Sequence, residues 1–382
     1  MTTRFAQKTL VLLVCLYSGW TQAEIAPEAM GVIKTLPATY PEHWVIVHDG
    51  AFFHMSEGKF VVMDADSDDQ WGRYKGMFNG ANISSFYQAT TRSEMYIAET
   101  YYSRGNRGER TDVLTVYDNT TLEPIAEIVI PAKRSANMPT AYNFQVVDNE
   151  KIGLIYNFTP AASITVVDLV ERTALGEISI PGCALVYPMG GRAFASMCSD
   201  GSMLSVQLDE AGQKKSSHRT EPFFNVDEDP LMEKAVMING TAYFPTFKGD
   251  LVPIDLRGDK PVVGEPWSLV GDSGWRPGGI WLGNSDANSR LYLLMHPNGV
   301  DGGHKDPGTE VWVFDVESKK RISKIALKLP GLSIGMTRDK SPLLIVTNVN
   351  MELDVYEAES GKHLRTIGGF GQETPFVVYG AR

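Results

Sequence analysis

Few side chains in this 382-residue chain stand at the spacings that chemistry usually requires. The sharpest pattern is Gly331-Leu332-Ser333-Ile334-Gly335, which has the G-x-S-x-G form of a serine-hydrolase elbow. That elbow needs a strand entering a long helix, so that the serine oxygen stands on a strained turn above an α/β sheet. β-Rich sequence lies on both sides here, so a loop of a β domain is expected instead. Asp64-Ala65-Asp66-Ser67-Asp68 imitates the start of a calcium loop. The required glycine is absent and Lys75 occupies the place of the bidentate glutamate, which predicts a solvated turn. Gly368-Gly369-Phe370-Gly371 lacks the spacing and context of a dinucleotide fingerprint. His296 and His304 flank a stretch rich in Gly, Asn and Asp, which points to a surface loop, and no metal site is expected. No nucleophile, base and orienting group form a complete set, so no catalytic residue is assigned to this chain.

The cysteines carry structural rather than catalytic information. Arg4 and Lys8 precede the short apolar run Thr9 to Tyr17, and a small-residue site ends at Ala23. This is the pattern of a cleaved secretory signal, too short for the ~20 apolar residues of a membrane span. No Gly or Ala stands directly before Cys15, as a lipoprotein signal would need. Cys15 leaves with the signal, so Cys183 and Cys198 remain and are expected to form one disulfide in an exported protein. Loss of Arg4 and Lys8 moves the net charge from −11 to −13. That excludes nucleic acid and an anionic membrane surface as partners, since both require clustered Lys and Arg.

The elements that must position any site follow from an internal repeat. A β-branched and aromatic run ending in an acid recurs as Phe60 to Asp64, Leu114 to Asp118, Ile164 to Asp168 and Leu204 to Asp209. It returns as Leu251 to Asp255, Val311 to Asp315 and Leu353 to Glu357. The acids stand between 41 and 60 residues apart. A propeller blade of four antiparallel strands has a period of ~40 to 50 residues. Polar turns and a second apolar run follow several copies, as in Asn119-Thr120-Thr121 before Ile125 to Ile130. The sequence therefore predicts an all-β fold. It is a seven-bladed β-propeller of four-stranded antiparallel blades of the YVTN/WD40-like kind, preceded by a cleaved signal peptide. Residues 1–23 form the signal, 24–40 an N-terminal extension and 41–382 the propeller.

Several segments resemble the large (heavy, alpha) subunit of quinoprotein amine dehydrogenases. They include Gly76-Met77-Phe78-Asn79-Gly80, Arg107-Gly108-Glu109-Arg110-Thr111-Asp112, Phe158-Thr159-Pro160-Ala161 and Cys183 to Cys198 followed by Asp200-Gly201. Trp267-Ser268-Leu269, Trp275-Arg276-Pro277-Gly278-Gly279, Met295-His296-Pro297 and Gly303-His304-Lys305 continue the match in order. It runs from about residue 30 to the end and is closer to the aralkylamine (aromatic amine) type than to the methylamine type. The resemblance implies a periplasmic scaffold subunit of an oxidoreductase acting on primary amines. Such a subunit carries no cofactor of its own and pairs with a small (light) subunit bearing tryptophan tryptophylquinone in an α2β2 heterotetramer. Electrons then pass to an azurin- or amicyanin-like blue-copper protein. The resemblance also implies that Phe78, with Asn79 beside it, lines the substrate channel, while Arg107 and Arg110 could clamp carboxylates across a subunit interface. Two other functions fit a propeller: a free-standing periplasmic hydrolase of the lactonase kind, and a non-enzymatic interaction propeller.

Overall fold

A computed structural model describes residues 35–382, apart from residues 53, 55, 137–139 and 370–373. The expected signal peptide and the turn at Phe370 and Gly371 lie outside the described residues. The repeats that end in Asp form strands for the same local reason. The terminal acid of each folds back as an acceptor for main-chain N–H groups of the next turn, ending one strand and starting its antiparallel neighbour. Asp118 Oδ1 accepts from Thr120 N and Thr121 N, both at 2.8 Å. Asp168 Oδ1 does the same for Val170 N and Glu171 N, and Asp315 Oδ1 for Glu317 N and Ser318 N.

The strands assemble into an all-β propeller of antiparallel sheets. The first sheet runs Val377–Gly380, Trp44–Asp49, Lys59–Asp64 and Tyr74–Asn79, so the last strand of the chain closes the ring by pairing with the first. The second comprises Ser85–Gln88, Glu94–Tyr102, Arg110–Asp118 and Pro124–Ile130. The third comprises Phe144–Val147, Ile152–Asn157, Ser163–Asp168 and Thr173–Ser179. Cys183–Met189, Ala193–Cys198, Met203–Leu208 and Lys214–Arg219 make the fourth. The fifth is built from Val236–Ile238, Thr241–Pro245, Asp250–Asp255, Val262–Val263 and Trp267–Ser268.

The expectation of seven separate four-stranded blades is corrected here. Five sheets stand as separate blades of four or five strands, and the rest of the chain forms one eight-stranded sheet. The cause is the 17-residue strand Lys320–Met336. Its first half pairs with Gly308–Asp315 and its second half with Leu343–Asn348, and the two pairings meet at Gly331, which has a partner on both sides. The repeats ending at Asp315 and Glu357 therefore share one sheet. Pro330 and Gly331 look like a turn in the sequence, yet they sit at an irregularity of register, where a strand tolerates a missing N–H. The only helices among the described residues are two 3-10 turns, Ala141–Asn143 and Gly303–Lys305. None is long and apolar enough to cross a membrane.

The core lies between the sheet faces. Phe60, Phe78, Phe144, Phe194 and Tyr187 are among its fully buried side chains. Short inner strands, among them Ser85–Gln88, Val236–Ile238, Gly283–Ser285 and Val377–Gly380, surround a cavity of about 180 Å³. In the segment before the first strand, Leu36 and Tyr40 are buried, and Tyr40 Oη donates to the Asn119 carbonyl at 2.7 Å.

Cys183 and Cys198 are joined, as expected, with their sulfurs 1.99 Å apart. They are direct cross-strand partners in the fourth sheet, and both are buried. Closing a loop of 15 residues is worth about 3 kcal/mol in the chain-entropy account. The double variant Cys183→Ser with Cys198→Ser should lose stability of that order, read as a lower urea midpoint with an unchanged β-sheet circular-dichroism spectrum below the transition.

Candidate functional site

The segment Gly76 to Gly80 ends the outermost strand of the first sheet and leads into a loop at residues 80–84. Along Tyr74–Asn79 alternate side chains point to opposite faces, which buries Phe78 and leaves Met77 and Asn79 exposed. The Phe78 ring stacks on Phe60 at 5.0 Å and meets Tyr117 at 5.3 Å and Phe86 at 6.1 Å. Its contacts in this chain are thus those of an enclosed aromatic cluster. The Asn79 carbonyl accepts from Tyr117 Oη at 3.1 Å, which ties the strand end to the second sheet.

Residues 80–84 turn tightly. Gly80 leaves no room for a side chain, since a Cβ there would sit 2.5 Å from Ser84 Oγ and 2.6 Å from the Phe60 ring. Asn82 and Ile83 are both held at φ of 50°, an unfavourable conformation for a β-branched residue such as Ile83. What holds them is a buried polar network. Arg134 donates to the carbonyls of Asn82 (2.6 Å), Ile83 (3.2 Å) and Ser135 (3.0 Å), and its Nε donates to Thr100 Oγ1 at 2.8 Å. Glu99 Oε2 accepts from Ala81 N at 2.8 Å, and Asn82 Nδ2 donates to the Thr100 carbonyl at 2.7 Å.

Asp112 ties this network to the next loop. Its Oδ2 accepts from Arg134 N at 2.9 Å, and Arg110 forks onto both its oxygens at 2.8 and 2.7 Å. Arg110 also donates to the Arg134 carbonyl at 2.8 Å. Two guanidinium groups thus face two carboxylates, Glu99 and Asp112, both wholly buried. Burial pushes Arg134 down to about 10, opposed by Asp112 and Glu99, and burial raises Glu99. His48 lies against the same loop, 3.3 Å from Ser84 Oγ and stacked on Phe60 at 4.2 Å. Burial pushes its pKa down to about 4, assisted by Arg134.

Asn79 stands just before the loop that Arg134 braces and is tied by its carbonyl to Tyr117, while Arg110 belongs to the Arg134 network itself. Arg110 spends its fork inside the chain. Arg107 lies exposed on the hairpin at 103–109, whose shape is set by Arg104 N donating to the Arg107 carbonyl at 3.0 Å. Exposed Tyr101 borders the same hairpin. Sequence reasoning missed Glu99, Arg134 and His48. Arg134 has no motif around it, though a lone Glu inside the apolar run Met95 to Tyr101 was a visible sign of a buried charge.

The other chemical patterns resolve into packing. Ser333 is buried within the strand Lys320–Met336, not in a loop, and its Oγ accepts from Trp281 N at 3.2 Å. Asp66 and Asp68 are occupied by Arg365, at 3.1 and 2.9 Å. His304 stacks on Phe247 at 4.5 Å. Among the described residues no three His, Cys, Asp or Glu side chains gather as metal ligands would.

A ring of sheets presenting a loop face braced by buried charge defines a scaffold of the propeller class. Residues 42–381 match the family described as methylamine dehydrogenase heavy chain, and the chain belongs to that family. It is 30% identical over 344 residues to the methylamine dehydrogenase heavy chain of Paracoccus versutus, covering 87% of this chain and 78% of that one. The heavy chain of Methylobacillus flagellatus is 25% identical over 390 residues, covering 97% of this chain and 95% of its own length. Among solved structures, a candidate 6-phosphogluconolactonase from Bacteroides fragilis superposes with a TM-score of 0.59 at 10% identity, over 88% of this chain and 95% of that one. At that identity the likeness speaks for the fold alone.

Removing one charge of the network should be costly, because its partners stay buried. Asp112→Asn should destabilise by roughly 3 to 5 kcal/mol, measured by urea unfolding. His48 predicts a pH effect of definite sign. Its folded pKa of about 4 lies below the ordinary 6.5, so its contribution is complete above pH 6.5 and is lost as pH falls towards 4. The loss is on the order of 3 kcal/mol. His48→Phe should flatten that limb of the stability profile relative to the parent, and an unchanged slope would refute the assignment.

Proposed function

We propose that this chain is the large scaffold subunit of a periplasmic amine dehydrogenase. It would pair with a small, cofactor-bearing subunit in an α2β2 heterotetramer, and the complex would oxidise a primary amine to aldehyde and ammonia. Water supplies the aldehyde oxygen, and two electrons leave to a blue-copper acceptor. Membership of the heavy-chain family over residues 42–381 is the observation that carries this reading. A quinone made from two tryptophans of the small subunit would act as the electron sink. Trp312 and Trp275 of this chain serve packing instead. Trp312 is buried and donates to Glu310 at 2.5 Å, and Trp275 lies 5.2 Å away with Lys324 over both rings.

On this reading the chain binds and shapes rather than reacts. The loop at 80–84 and the hairpin at 103–109 form a preorganised docking face, fixed before the small subunit arrives by Arg134, Asp112 and Glu99. Arg107, exposed on the hairpin, meets a carboxylate of the small subunit, while Arg110 holds the hairpin base through Asp112. Asn79 belongs to the channel wall, and Phe78 stands behind it. The enclosed Phe78 ring fixes the strand, and Asn79 is the group that reaches the entering amine. The family favours methylamine as substrate, whereas the motif resemblance favours an aromatic amine.

The test is co-purification of the tagged chain from its own periplasm, followed by amine titration of the complex. A small partner with quinone absorbance that bleaches on adding methylamine or tyramine is expected, and the better amine names the substrate class. Asn79→Leu should shift KM for that amine several-fold with little change in kcat. A colourless monomer from amine-grown cells would overturn the proposal.

A further inference from the structure

The first sheet and the eight-stranded sheet pack through Val45, Val61, Ile345 and Val355, and at one end of that seam an imidazole stands between two acids. His43 directly precedes the strand Trp44–Asp49. Its Nδ1 lies 3.3 Å from Asp66 Oδ2, on the turn after Lys59–Asp64. Its Nε2 lies 3.3 Å from Asp339 Oδ1 and 3.1 Å from the Ser341 carbonyl, on the turn between Lys320–Met336 and Leu343–Asn348. Both ring nitrogens therefore face oxygens that only accept. A neutral imidazole has one N–H and would turn a lone pair towards a carboxylate, whereas an imidazolium donates on both sides.

The same seam carries a second strap that does not titrate. Arg365 donates to Asp66 Oδ1 at 3.1 Å, to Asp68 Oδ1 at 2.9 Å and to the Ala65 carbonyl at 3.0 Å. Its guanidinium stays charged throughout. Of the other charged groups on these segments, Lys75 pairs with Asp64 at 4.0 Å, and Arg73 donates to the Asp69 carbonyl. Glu42, Arg338 and Lys340 are exposed, and the main-chain oxygen of Arg382 accepts from Gln88 Nε2. Asp339, whose side chain is 2% exposed, has His43 as its one ion-pair partner among the described residues. Burial of the ring opposes its charge, but Asp339, the Ser341 carbonyl and Asp66 outweigh that and raise its pKa above the ordinary 6.5.

We propose that His43 is a proton-operated latch between the first sheet and the eight-stranded sheet. Protonated, it joins the turn at Asp66 to the turn at Asp339. Deprotonated, it releases Asp339, and the seam loosens while Arg365 keeps its hold. The sign follows from the raised pKa: the latch is complete below pH 6.5 and is lost as pH rises through the folded value. The main chain transmits the release. His43 is held at φ of 67°, so freeing its ring frees a strained backbone directly before the strand that pairs with Val377–Gly380. A permanent bridge would be served by a second arginine, whereas imidazole is the side chain whose charge changes near neutrality. These contacts lie within the chain and do not depend on the proposed amine chemistry.

Hydrogen exchange of the full chain, read by mass spectrometry and corrected for intrinsic pH dependence, tests this in peptides covering 40–49 and 337–343. From about pH 6 to about pH 9 both should lose on the order of tenfold in protection, the equivalent of one pKa unit. His43→Gln should exchange at the lower pH as the parent does at the higher, with no further pH dependence. Asp339→Asn keeps the imidazole and removes one acid, and should move the midpoint down by about one pH unit. The His43 Cε1 resonance of histidine-labelled chain should titrate above 6.5 in the parent. A pH dependence that survives in His43→Gln, or an imidazole that titrates at or below 6.5, would overturn the proposal.

Discussion

A sheet that is apolar on both faces must be covered on both, and this molecule meets that demand by closing a ring. Every other feature depends on the closure. The last strand, Val377–Gly380, pairs with the first, Trp44–Asp49, so the two ends of the fold cover each other's edges. Arg382 N then donates to Gln88 Oε1 at 2.8 Å, which links the closing strand to the second sheet. The loops on the rim can be irregular because the sheets beneath them are not.

That division of labour explains the Arg134 network. The left-handed Asn82 and Ile83 would relax if they were only a surface turn. A guanidinium is suited to hold them, since its several fixed donors can satisfy several carbonyls at once, and Arg134 does so for Asn82, Ile83 and Ser135. Burial makes the arrangement expensive, and Asp112 and Glu99 offset the cost by remaining close and fully bonded. Tolerance to mutation is thereby given up for a precise loop shape.

How much of this was legible in the sequence differs between fold and site. The repeat ending in an acid marks its strands because the acid has a local task, capping the following turn, that leaves a local trace at Asp118, Asp168 and Asp315. The joining of the last sheet left none, since Pro330-Gly331 has turn composition and only the pairing of both halves of Lys320–Met336 keeps the strand continuous. The disulfide was readable because compartment and count restrict two cysteines. The site was mostly hidden. Phe78 was chosen by resemblance, but its enclosure follows from Phe60, Phe86 and Tyr117, which approach from other strands. Arg134 and Asp112 lie 22 residues apart and meet only through the fold.

The eight-stranded sheet also gives the ring an uneven stiffness. Between separate sheets the contacts are mostly side chains, with a few main-chain hydrogen bonds between turns, such as Asp148 N to the Gly191 carbonyl and Gly190 N to the Leu256 carbonyl. Along Lys320–Met336 the contact is covalent backbone, so that quadrant resists shear. The closing seam is the counterpart, held by four residue pairs from Val45–Gly380 to His48–Val377. If the ring breathes under load or heat, it opens there, and the gap forms beside the cavity mouth at Arg382 rather than across the braced loops of the second sheet.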